Sequence, residues 1–541
     1  MNNAALLAYF PDPFGVNNSR YLIRIGDGAA QDVTAREVSA YVGPIVTYQA
    51  SVVVDDLRRS NCMPPPMLID IDVAIRQLVG KAKDDGGERE SNVWNQLAEE
   101  FNTPAEANRY RMTALSRSSR IDEADTYSLL LDGIDALFGL WTKVVGELGF
   151  SEELARFKDI EVPIQRIFHN RQARGIAVSE EECGILLKDV AREKYASYAR
   201  VAAAIGRTAA GLNFWNIQSF LSKTDLDELS GQEDGGRLRE YFKIAAHRSS
   251  FARDFLGLVD GGRDESILRR AIGVSGRIFP IFKTFGTVTG RILVSDPQIQ
   301  QLRKKYRGMI SADLGMKLAY IDFCQFEPGI LAYLSNDDAL IDSYNRSDIY
   351  SALSVQLFGG VEERPLCKQI FLSYLYGMTS DRIVKLVGPA KGVVGTVDLR
   401  LTLDKFFAKF SGLESFRTKS EAELLATQFV GSLNGNKRWR GAEGDLTKKE
   451  RRWAMNHPVQ STASLIFKES LISLDNKFGS DSILLPMHDA VLLQFPDDED
   501  FANSVETSRQ IMCNIFSRWC PGIEARAAVE SFSPISSGPS K

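Results

Sequence analysis

The amino-acid sequence predicts an α+β fold with a smaller α/β domain at its N-terminal end. From residue 317 onward, short apolar segments typical of strands alternate with longer segments of helical periodicity. Residues 161–275 are mostly helical in pattern, with a Gly- and Asp-containing break at 230–236. The polar stretch KAKDDGGERESN at 81–92 is typical of an exposed linker and separates a small N-terminal unit from the rest.

In chain order, the pattern predicts three regions. Residues 1–80 form the α/β domain, because IVTYQASVVVDDL and MLIDIDVAIRQL each combine strand-like and helix-like pieces on either side of the turn-forming MPPP. Residues 81–160 form a helical linker region that includes TYSLLLDGIDALFGLWTKVVGEL. Residues 161–541 form the main domain, and its last residues, SPISSGPSK, are tail-like.

Composition places the chain among ordinary soluble globular proteins, with 44% apolar and 25% charged residues. No apolar run approaches the roughly 20 residues that a membrane-spanning helix needs, and the first residues do not resemble a secretory signal. The six cysteines form neither Cys-x-x-Cys pairs nor a disulfide-like array, which fits a reducing compartment. We therefore expect a cytoplasmic protein with no membrane partner.

Two basic clusters stand out against the net charge of −5. One lies between residues 277 and 307 and the other between residues 437 and 452. A solvated surface and contact with the phosphates of a nucleic acid both explain such clusters.

Two carboxylates are placed at the ends of apolar strands. In LAYIDFCQFEPGILAYL, residues 318–334, Asp322 is costly to bury unless donors or a cation meet it, so it caps the next helix or binds a metal ion. ILLPMHDAVLLQF, residues 483–495, predicts a hairpin with His488 and Asp489 at its tip, which alone is typical of a polar turn. Together the two aspartates can hold two divalent cations, which prefer oxygen ligands and can clamp the oxygens of a phosphoryl displacement.

The segment ERPLCKQIFLSYLYGM, residues 363–378, predicts a helix with a proline in its first turn. Arg364, Lys368, Leu372 and Tyr376 recur every four residues and therefore lie on one face. This face belongs to a surface helix with long basic side chains or to a polyphosphate site, since the helix dipole and free N–H groups add to the two cations.

Five segments resemble, in the same order, the motifs of the family A DNA polymerases, the DNA polymerase I group. The segments are TGRILVSDPQIQQL (289–302), DFCQFEPGILA (322–332), RPLCKQIFLSYLYG (364–377), ERRWAMNHPVQSTAS (450–464) and MHDA (487–490). The family patterns are TGRLSSxxPNLQ, DYSQIELRILA, RxxxKxxxFxxxYG, ERxxxNxPxQGTAAD and HDE. Weaker similarity begins near 161–179. The resemblance implies a right-hand polymerase fold, with the thumb at about 180–275 and the palm and fingers at about 276–541, in a divergent member of the phage or plasmid type.

The resemblance also implies the activity, which is template-directed DNA synthesis from a primer. Asp322, Asp489 and Lys368 would be the catalytic residues. Two Mg²⁺ ions, for which Mn²⁺ can substitute, would be bound by the two aspartates and the backbone carbonyl of Phe323. The metal ions would lower the pKa of the primer 3′-hydroxyl and stabilise an in-line transition state.

The same motifs imply binding residues for both substrates. For the nucleotide, Arg364 and Lys368 would bind the triphosphate and Tyr376 would lie at the nascent base pair. Glu327 would act as a steric gate against a ribose 2′-hydroxyl. The other nucleotide-binding residues would be Gln325, Leu372 and Tyr350. Those for the primer-template are Arg291, Arg452, Asn456, Gln460 and His488. The implied partners are primer-template DNA and dNTPs, and the motifs do not identify a replisome or processivity factor. We expect a monomer in a bacterial or phage-infected cell.

Four positions depart from the family pattern. Leu372 stands where the family has Phe or Tyr, Tyr350 replaces a His beside the triphosphate, Gly329 replaces an Arg, and Ala490 replaces the Glu of HDE. Because both aspartates are present, we expect activity, with atypical fidelity and sugar choice.

The N-terminal residues are faintly similar to the later part of the family's 3′–5′ exonuclease domain. That activity needs about four carboxylates and opens with Asp-x-Glu on a first strand, and no such strand is recognisable before residue 45. We therefore expect a degenerate remnant without proofreading.

Two alternatives to a DNA polymerase are open. A single-subunit RNA polymerase of the phage and mitochondrial type shares this palm and can carry a non-aromatic residue in place of Leu372, but Glu327 argues against it. A catalytically silent DNA-binding homologue would not need Asp322 and Asp489.

Overall fold

The structure is a computed structural model that describes residues 4–11, 19–79, 93–116, 124–147, 149–206, 214–224, 226, 235–272, 276–387, 396–441 and 443–533. The predicted linker at 81–92 and all but the first residue of the predicted tail lie outside the described residues. In the described part of the chain, no helix combines the length and the apolar character that crossing a membrane requires.

A five-stranded sheet in the order β3-β2-β1-β4-β5 forms the N-terminal part. The strands of the sheet and the helices between and after them are, in chain order, β1 (Ala5–Phe10), β2 (Arg20–Ile25), β3 (Gln31–Val33), α1 (Ala35–Ala40), β4 (Ile45–Thr47), α2 (Ala50–Arg59), β5 (Leu68–Asp70) and α3 (Ile71–Val79). Strand β1 pairs antiparallel with β2 and parallel with β4. The sequence does not predict β1 to β3, because β1 is buried at every position and its unbroken apolar run lacks alternation. Strand β1, ALLAYF, carries no acidic residue.

Five helices follow, namely α4 (Val93–Phe101), α5 (Pro104–Ser116), α6 (Ala124–Val145), α7 (Ser151–Arg156) and α8 (Val162–Arg174). Trp94 of α4 and Leu131 of α6 share one hydrophobic core with Leu6 of β1. The described helices of the region predicted as a helical linker, 81–160, pack on the sheet because their apolar faces need a partner.

The next elements are β6 (Ile176–Ala177), α9 (Glu180–Ile205), α10 (Phe214–Leu221), α11 (Gly235–Ala245), α12 (Ser250–Ala271) and β7 (Arg277–Ile278). The long helices α9 and α12 pack along each other within the segment predicted as the thumb. A Cβ atom at Gly257 would lie 2.5 Å from Ser197 Oγ, so glycine allows this close approach.

The remaining elements are β8 (Ile281–Lys283), β9 (Leu293–Ser295), β10 (Met316–Phe323), α13 (Phe326–Ser335), α14 (Asp338–Arg346), α15 (Ile349–Phe358), α16 (Arg364–Leu375), α17 (Ser380–Val387), α18 (Thr396–Phe407), α19 (Ser411–Thr427), β11 (Phe429–Val430), β12 (Arg438–Trp439), α20 (Lys448–Phe478), β13 (Ile483–Met487), β14 (Ala490–Pro496), α21 (Phe501–Trp519) and β15 (Ala527–Glu530). An antiparallel sheet in the order β13-β14-β10-β15 forms the centre of this part. Helices α20 and α21 pack against it, and Phe323, Phe326 and Phe516 stack where α21 meets the end of β10.

Candidate active site

The two strand-ending aspartates are neighbours on the central sheet. Asp322 of β10 pairs across the sheet with Ala490 of β14, and the Phe323 amide donates to the carbonyl oxygen of Asp489 at 3.2 Å. The turn between β13 and β14 has only two residues, and its first residue, His488, takes a positive φ of 62°. Tight hairpins require such a conformation, so the local backbone fixes Asp489 beside Asp322.

The electrostatics of this pair fit a cation site. Desolvation raises the pKa of Asp322 to about 6, with further contributions from Asp489 and Glu530. Desolvation also raises the pKa of Asp489, against the opposing charges of Arg291 and Lys368. Neither carboxylate accepts a hydrogen bond within the described residues. Two desolvated oxygen ligands that repel each other suit divalent cations, which supply the missing charge.

The ligand set is small. Among the described residues, no cluster of three His, Cys, Asp or Glu side chains is arranged to hold a metal ion. Ala490, where the family pattern has Glu, is buried in the sheet opposite Asp322. Any divalent cations at this site must therefore take their remaining ligands from the backbone, from water or from a substrate.

A cavity of about 250 Å³ opens over the aspartate pair. Its walls are Arg307, Tyr320, Asp322, Phe323, Gln325, Phe326, Glu327, Pro328, Tyr350, Lys368, Leu372, Met487, His488 and Asp489. The fold thus brings together nine of the side chains or backbone groups that the sequence assigns to catalysis, metal binding or substrate binding. Arg307, Tyr320 and Met487 also line the cavity, although the motifs assign them no role. For Arg307 the only sequence signal is its place in the first basic cluster.

Helix α16 forms one wall of the cavity. Lys368 is exposed and unpaired by any described carboxylate, and Leu372 lies one turn further along the same face. Arg364, at the start of the helix, donates from Nε to Asp348 Oδ2 at 3.1 Å and lies 5.5 Å from the centroid of the Tyr350 ring. Of the two cations on this helix, Lys368 therefore lines the cavity, whereas Arg364 lies at the start of the helix beside Tyr350 and is paired with Asp348.

Glu327 is a buried carboxylate with two side-chain donors. It accepts hydrogen bonds from the guanidinium of Arg291 and from the hydroxyl of Tyr376. Desolvation raises the pKa of Glu327, and Arg291 opposes this effect. Tyr376 also contacts Gln460 of α20. The motifs assign Glu327 only a steric role, whereas its contacts also fix the positions of Arg291 and Tyr376.

Gln325 and Tyr350 line the cavity and also contact neighbouring helices. Gln325 has a φ of 50° at the start of α13, and its side-chain oxygen accepts from the Ile349 amide at 2.9 Å. Tyr350 is buried and meets Phe371 of α16 edge-on, with the ring centroids 5.7 Å apart. Both side chains therefore fix α15 relative to the cavity in addition to lining it.

The residues predicted to contact DNA fall into two groups. Arg291 and His488 lie at the aspartate pair, where desolvation and then the charges of Arg291 and Arg307 lower the pKa of His488. Arg452, Asn456 and Gln460 follow one another at intervals of four along α20 and are all half-buried. None of the three lines the cavity; Gln460 contacts Tyr376, and Arg452 lies beside Gly377.

Gly329 has a packing reason for lacking a side chain. A Cβ atom there would lie 2.8 Å from Tyr344 Cζ and 2.9 Å from Phe516 Cζ. The position faces the interior, so the arginine of the family pattern has no room in this chain.

At least seven of the fourteen Lys and Arg residues in the two basic clusters are paired with carboxylates. The pairs are Arg277–Asp313, Arg291–Glu327, Arg303–Asp264, Lys304–Glu530, Lys305–Glu193, Arg440–Glu450 and Arg451–Glu421. These contacts favour the explanation of a charged surface for much of both clusters. Arg307 differs, because no carboxylate of the described chain lies within ion-pair distance of it.

Comparison with known proteins agrees with this geometry. A sequence profile of DNA polymerase family A matches residues 221–519. The chain is 27% identical over 245 residues to DNA polymerase I of Pseudomonas aeruginosa, an alignment that covers 41% of this chain and 26% of that protein. It is 21% identical over 412 residues to DNA polymerase I of Geobacillus stearothermophilus, covering 70% and 46%. The chain thus spans less than half the length of these curated relatives.

A solved structure shares the fold. The POL domain of Pol1 from M. smegmatis, in complex with DNA primer-template and dNTP, matches with a TM-score of 0.71 at 18% identity, covering 97% of this chain and 94% of that chain. The right-hand fold that the motifs predict is therefore confirmed.

Proposed function

The chain belongs to DNA polymerase family A, and we propose that it extends a primer along a DNA template by adding deoxynucleotides to the primer 3′-hydroxyl. The observation that carries this proposal is the pair of desolvated carboxylates, Asp322 and Asp489, at a cavity that Lys368 of α16 also lines. Carboxylates opposite a polyphosphate-binding helix are the arrangement that phosphoryl transfer requires.

We infer that the aspartates bind two Mg²⁺ ions together with the backbone carbonyl of Phe323. Ions bound there would lower the pKa of the primer 3′-hydroxyl and neutralise negative charge at the reacting phosphate. The chain's own contribution is to hold two oxygen ligands on adjacent strands, with no competing hydrogen-bond donor among the described residues. Lys368 adds a fixed positive charge on the nucleotide side.

Arg364 and Lys368 are proposed to bind the triphosphate, with Leu372 and Tyr376 against the incoming nucleoside. The face that they share on α16 supports this assignment. Glu327 is proposed to exclude a ribose 2′-hydroxyl. Its two hydrogen bonds, from Arg291 and Tyr376, support a fixed position for the carboxylate and hence a steric effect on the sugar.

The primer-template is proposed to contact Arg291 and His488 at the aspartate pair and Arg452, Asn456 and Gln460 along α20. We also propose that the N-terminal sheet has no 3′–5′ exonuclease activity, and the lack of an acidic residue on β1 supports this. A monomeric state and a cytoplasmic location in a bacterial or phage-infected cell stay proposals from the sequence.

Primer extension tests the main proposal. A labelled primer annealed to a longer DNA template is incubated with dNTPs or rNTPs, with Mg²⁺ or EDTA. We expect extension with dNTPs and Mg²⁺, and none with EDTA. Equal or better use of rNTPs would favour an RNA polymerase, and tight binding of the primer-template without extension would favour a silent homologue. Loss of 3′-terminal nucleotides without dNTPs would contradict the proposed absence of proofreading.

A further inference from the structure

A second cation besides Lys368 lines the cavity, and the motifs assign it no role. A short 3₁₀ turn, Lys304–Met309, lies beside β10, and Arg307 from this turn lines the cavity together with Tyr320 and Asp322. Lys368 lines the same cavity from α16. The two cations therefore approach the aspartate pair from different elements.

Contacts on several sides hold the Arg307 guanidinium in place. Its Nε donates to the carbonyl oxygen of Leu302 at 3.0 Å. The group lies 5.4 Å from the centroid of the Phe532 ring and 6.0 Å from that of Tyr320, and it also donates to the Tyr320 hydroxyl. A guanidinium that hydrogen bonds and neighbouring aromatic rings already hold loses little further freedom when it binds an anion.

Arg307 keeps its charge available, unlike its neighbours. On the same turn, Lys304 pairs with Glu530 at 3.1 Å and Lys305 pairs with Glu193. No described carboxylate pairs with Arg307. A fixed guanidinium without a counter-ion, at the edge of a cavity, fits a phosphate oxygen in both charge and geometry.

We propose that Arg307 binds the phosphodiester that joins the last two nucleotides of the primer and so positions the 3′-hydroxyl at the aspartate pair. This inference rests on the proposed function. The phosphates of the incoming nucleotide are assigned to Arg364 and Lys368, which leaves a strand of the primer-template for Arg307. Arg307 lines the same cavity as Asp322 and Asp489, where the primer 3′-hydroxyl must lie for extension, so the primer end is the strand that fits. Tyr320, which accepts from Arg307, lies on the same face of β10 as Asp322, so one strand connects the anchor to the catalytic carboxylate.

A neutral linkage placed at a single position tests this contact. The primers carry either a natural phosphodiester or an uncharged methylphosphonate at the 3′-terminal linkage, and both end in a dideoxynucleotide so that binding is measured without extension. Affinity for the annealed template is measured by fluorescence anisotropy for the wild type, Arg307→Gln and Lys305→Gln. Lys305→Gln is the matched control, because it removes one positive charge from the same turn at a side chain already paired with Glu193.

We expect the methylphosphonate to weaken binding by the wild type and by Lys305→Gln about tenfold. Arg307→Gln should bind the natural primer about tenfold more weakly and show no further loss with the methylphosphonate. For Arg307→Gln, the number of counter-ions released on binding, which the salt dependence of the affinity measures, should also be lower by about one. An equal methylphosphonate penalty in Arg307→Gln and wild type would overturn the proposal. The same penalty when the methylphosphonate is moved six linkages upstream would overturn it too, since the contact would then not be at the terminus.

Arg307→Lys keeps the test decisive if the Gln variant does not fold. It retains the charge but loses the planar fork, so its methylphosphonate penalty should be smaller than that of the wild type, and an unchanged penalty contradicts the contact. Because these measurements report binding, they separate the two proposals. A chain that shows the predicted pattern but never extends a primer refutes the proposed function and leaves Arg307 as an anchor for the primer terminus.

Discussion

The N-terminal sheet and the central sheet each end a buried strand on an aspartate, and the two aspartates have different surroundings. Asp70 ends β5, and its carboxylate accepts hydrogen bonds from the amides of Gln49, Ala50 and Asp72 at 2.9 to 3.1 Å. Asp322 is the last residue but one of β10 and has no such donor among the described residues. Desolvation raises the pKa of both, to about 7 for Asp70 and about 6 for Asp322.

The comparison separates a helix cap from a proposed metal ligand. Asp70 satisfies the free N–H groups at the start of α2, which is a structural role that needs no further partner. Asp322 meets a second carboxylate and an open cavity instead. The segments MLIDID and LAYIDF are similar as sequences, so the function of a strand-ending aspartate depends on which donors the fold brings to it.

The strongest way to break this comparison is to neutralise each aspartate in turn. We expect Asp322→Asn and Asp489→Asn to lower the rate of primer extension about 1,000-fold or more, because a neutral amide cannot replace a metal-binding carboxylate. Primer-template affinity should change little, since it depends on phosphate contacts elsewhere. Single-turnover extension and anisotropy measure the two quantities, and near wild-type extension by either variant contradicts the site.

Glu327 sharpens the comparison as a third buried carboxylate, one that side chains satisfy. We expect Glu327→Ala to raise the use of rNTPs relative to dNTPs about tenfold or more, because removal of the side chain opens space at the 2′-position. The ratio of kcat/KM for the two nucleotides measures the effect. Tyr376→Phe is the control, since it removes one hydrogen bond to Glu327 but keeps the carboxylate. An unchanged ratio in Glu327→Ala would show that this carboxylate is no sugar gate.

Asp70→Asn tests the other member of the pair. We expect a loss of about 1 to 2 kcal/mol in the free energy of unfolding, because the amide group leaves an amide donor of α2 without its acceptor. Extension by the folded enzyme should be unchanged. Chemical denaturation measures the first quantity, and a marked loss of extension in a stably folded Asp70→Asn protein would argue that the N-terminal sheet takes part in the reaction.

The smallest expected effect is a difference in pH dependence without divalent cations. An aspartate whose pKa is raised in the folded state binds more protons there than in the unfolded chain, so it lowers stability as pH rises from about 4 to about 6. In EDTA, the Tm of the wild type should therefore fall relative to that of Asp322→Asn across this range. Adding Mg²⁺ near neutral pH should reduce the difference. Parallel curves in EDTA would contradict the raised pKa.

Local sequence patterns identify residues of the candidate site, but they do not identify the residues that surround and hold them. Asp322, Asp489, Lys368 and Leu372 are found from strand ends and helical spacing, because those signals lie within a few residues of each side chain. The pairing of Lys304 with Glu530 and the approach of Arg307 to the Phe532 ring depend on segments far apart in the chain, and no local pattern reports such contacts.

The fold shows the same limit. The sequence predicts β4, α2, β5 and α3, where strand and helix periodicity alternate, but not β1, whose continuous apolar run fits a buried strand and a buried helix equally. Nor does periodicity show that α4 and α6 share a core with that sheet, because an amphipathic face indicates that a partner exists without identifying it.

The ion pair between Arg364 and Asp348 has a consequence for turnover. Because Asp348 already neutralises Arg364, arrival of a triphosphate at α16 exchanges one anion for another. If a triphosphate binds Arg364 as proposed, part of its attraction would be offset by the loss of the Asp348 contact, so the phosphates would be held less tightly than an unpaired arginine would hold them. On departure of pyrophosphate, Asp348 would pair with Arg364 again, and the proposed reaction, repeated along a template, requires that release in every cycle.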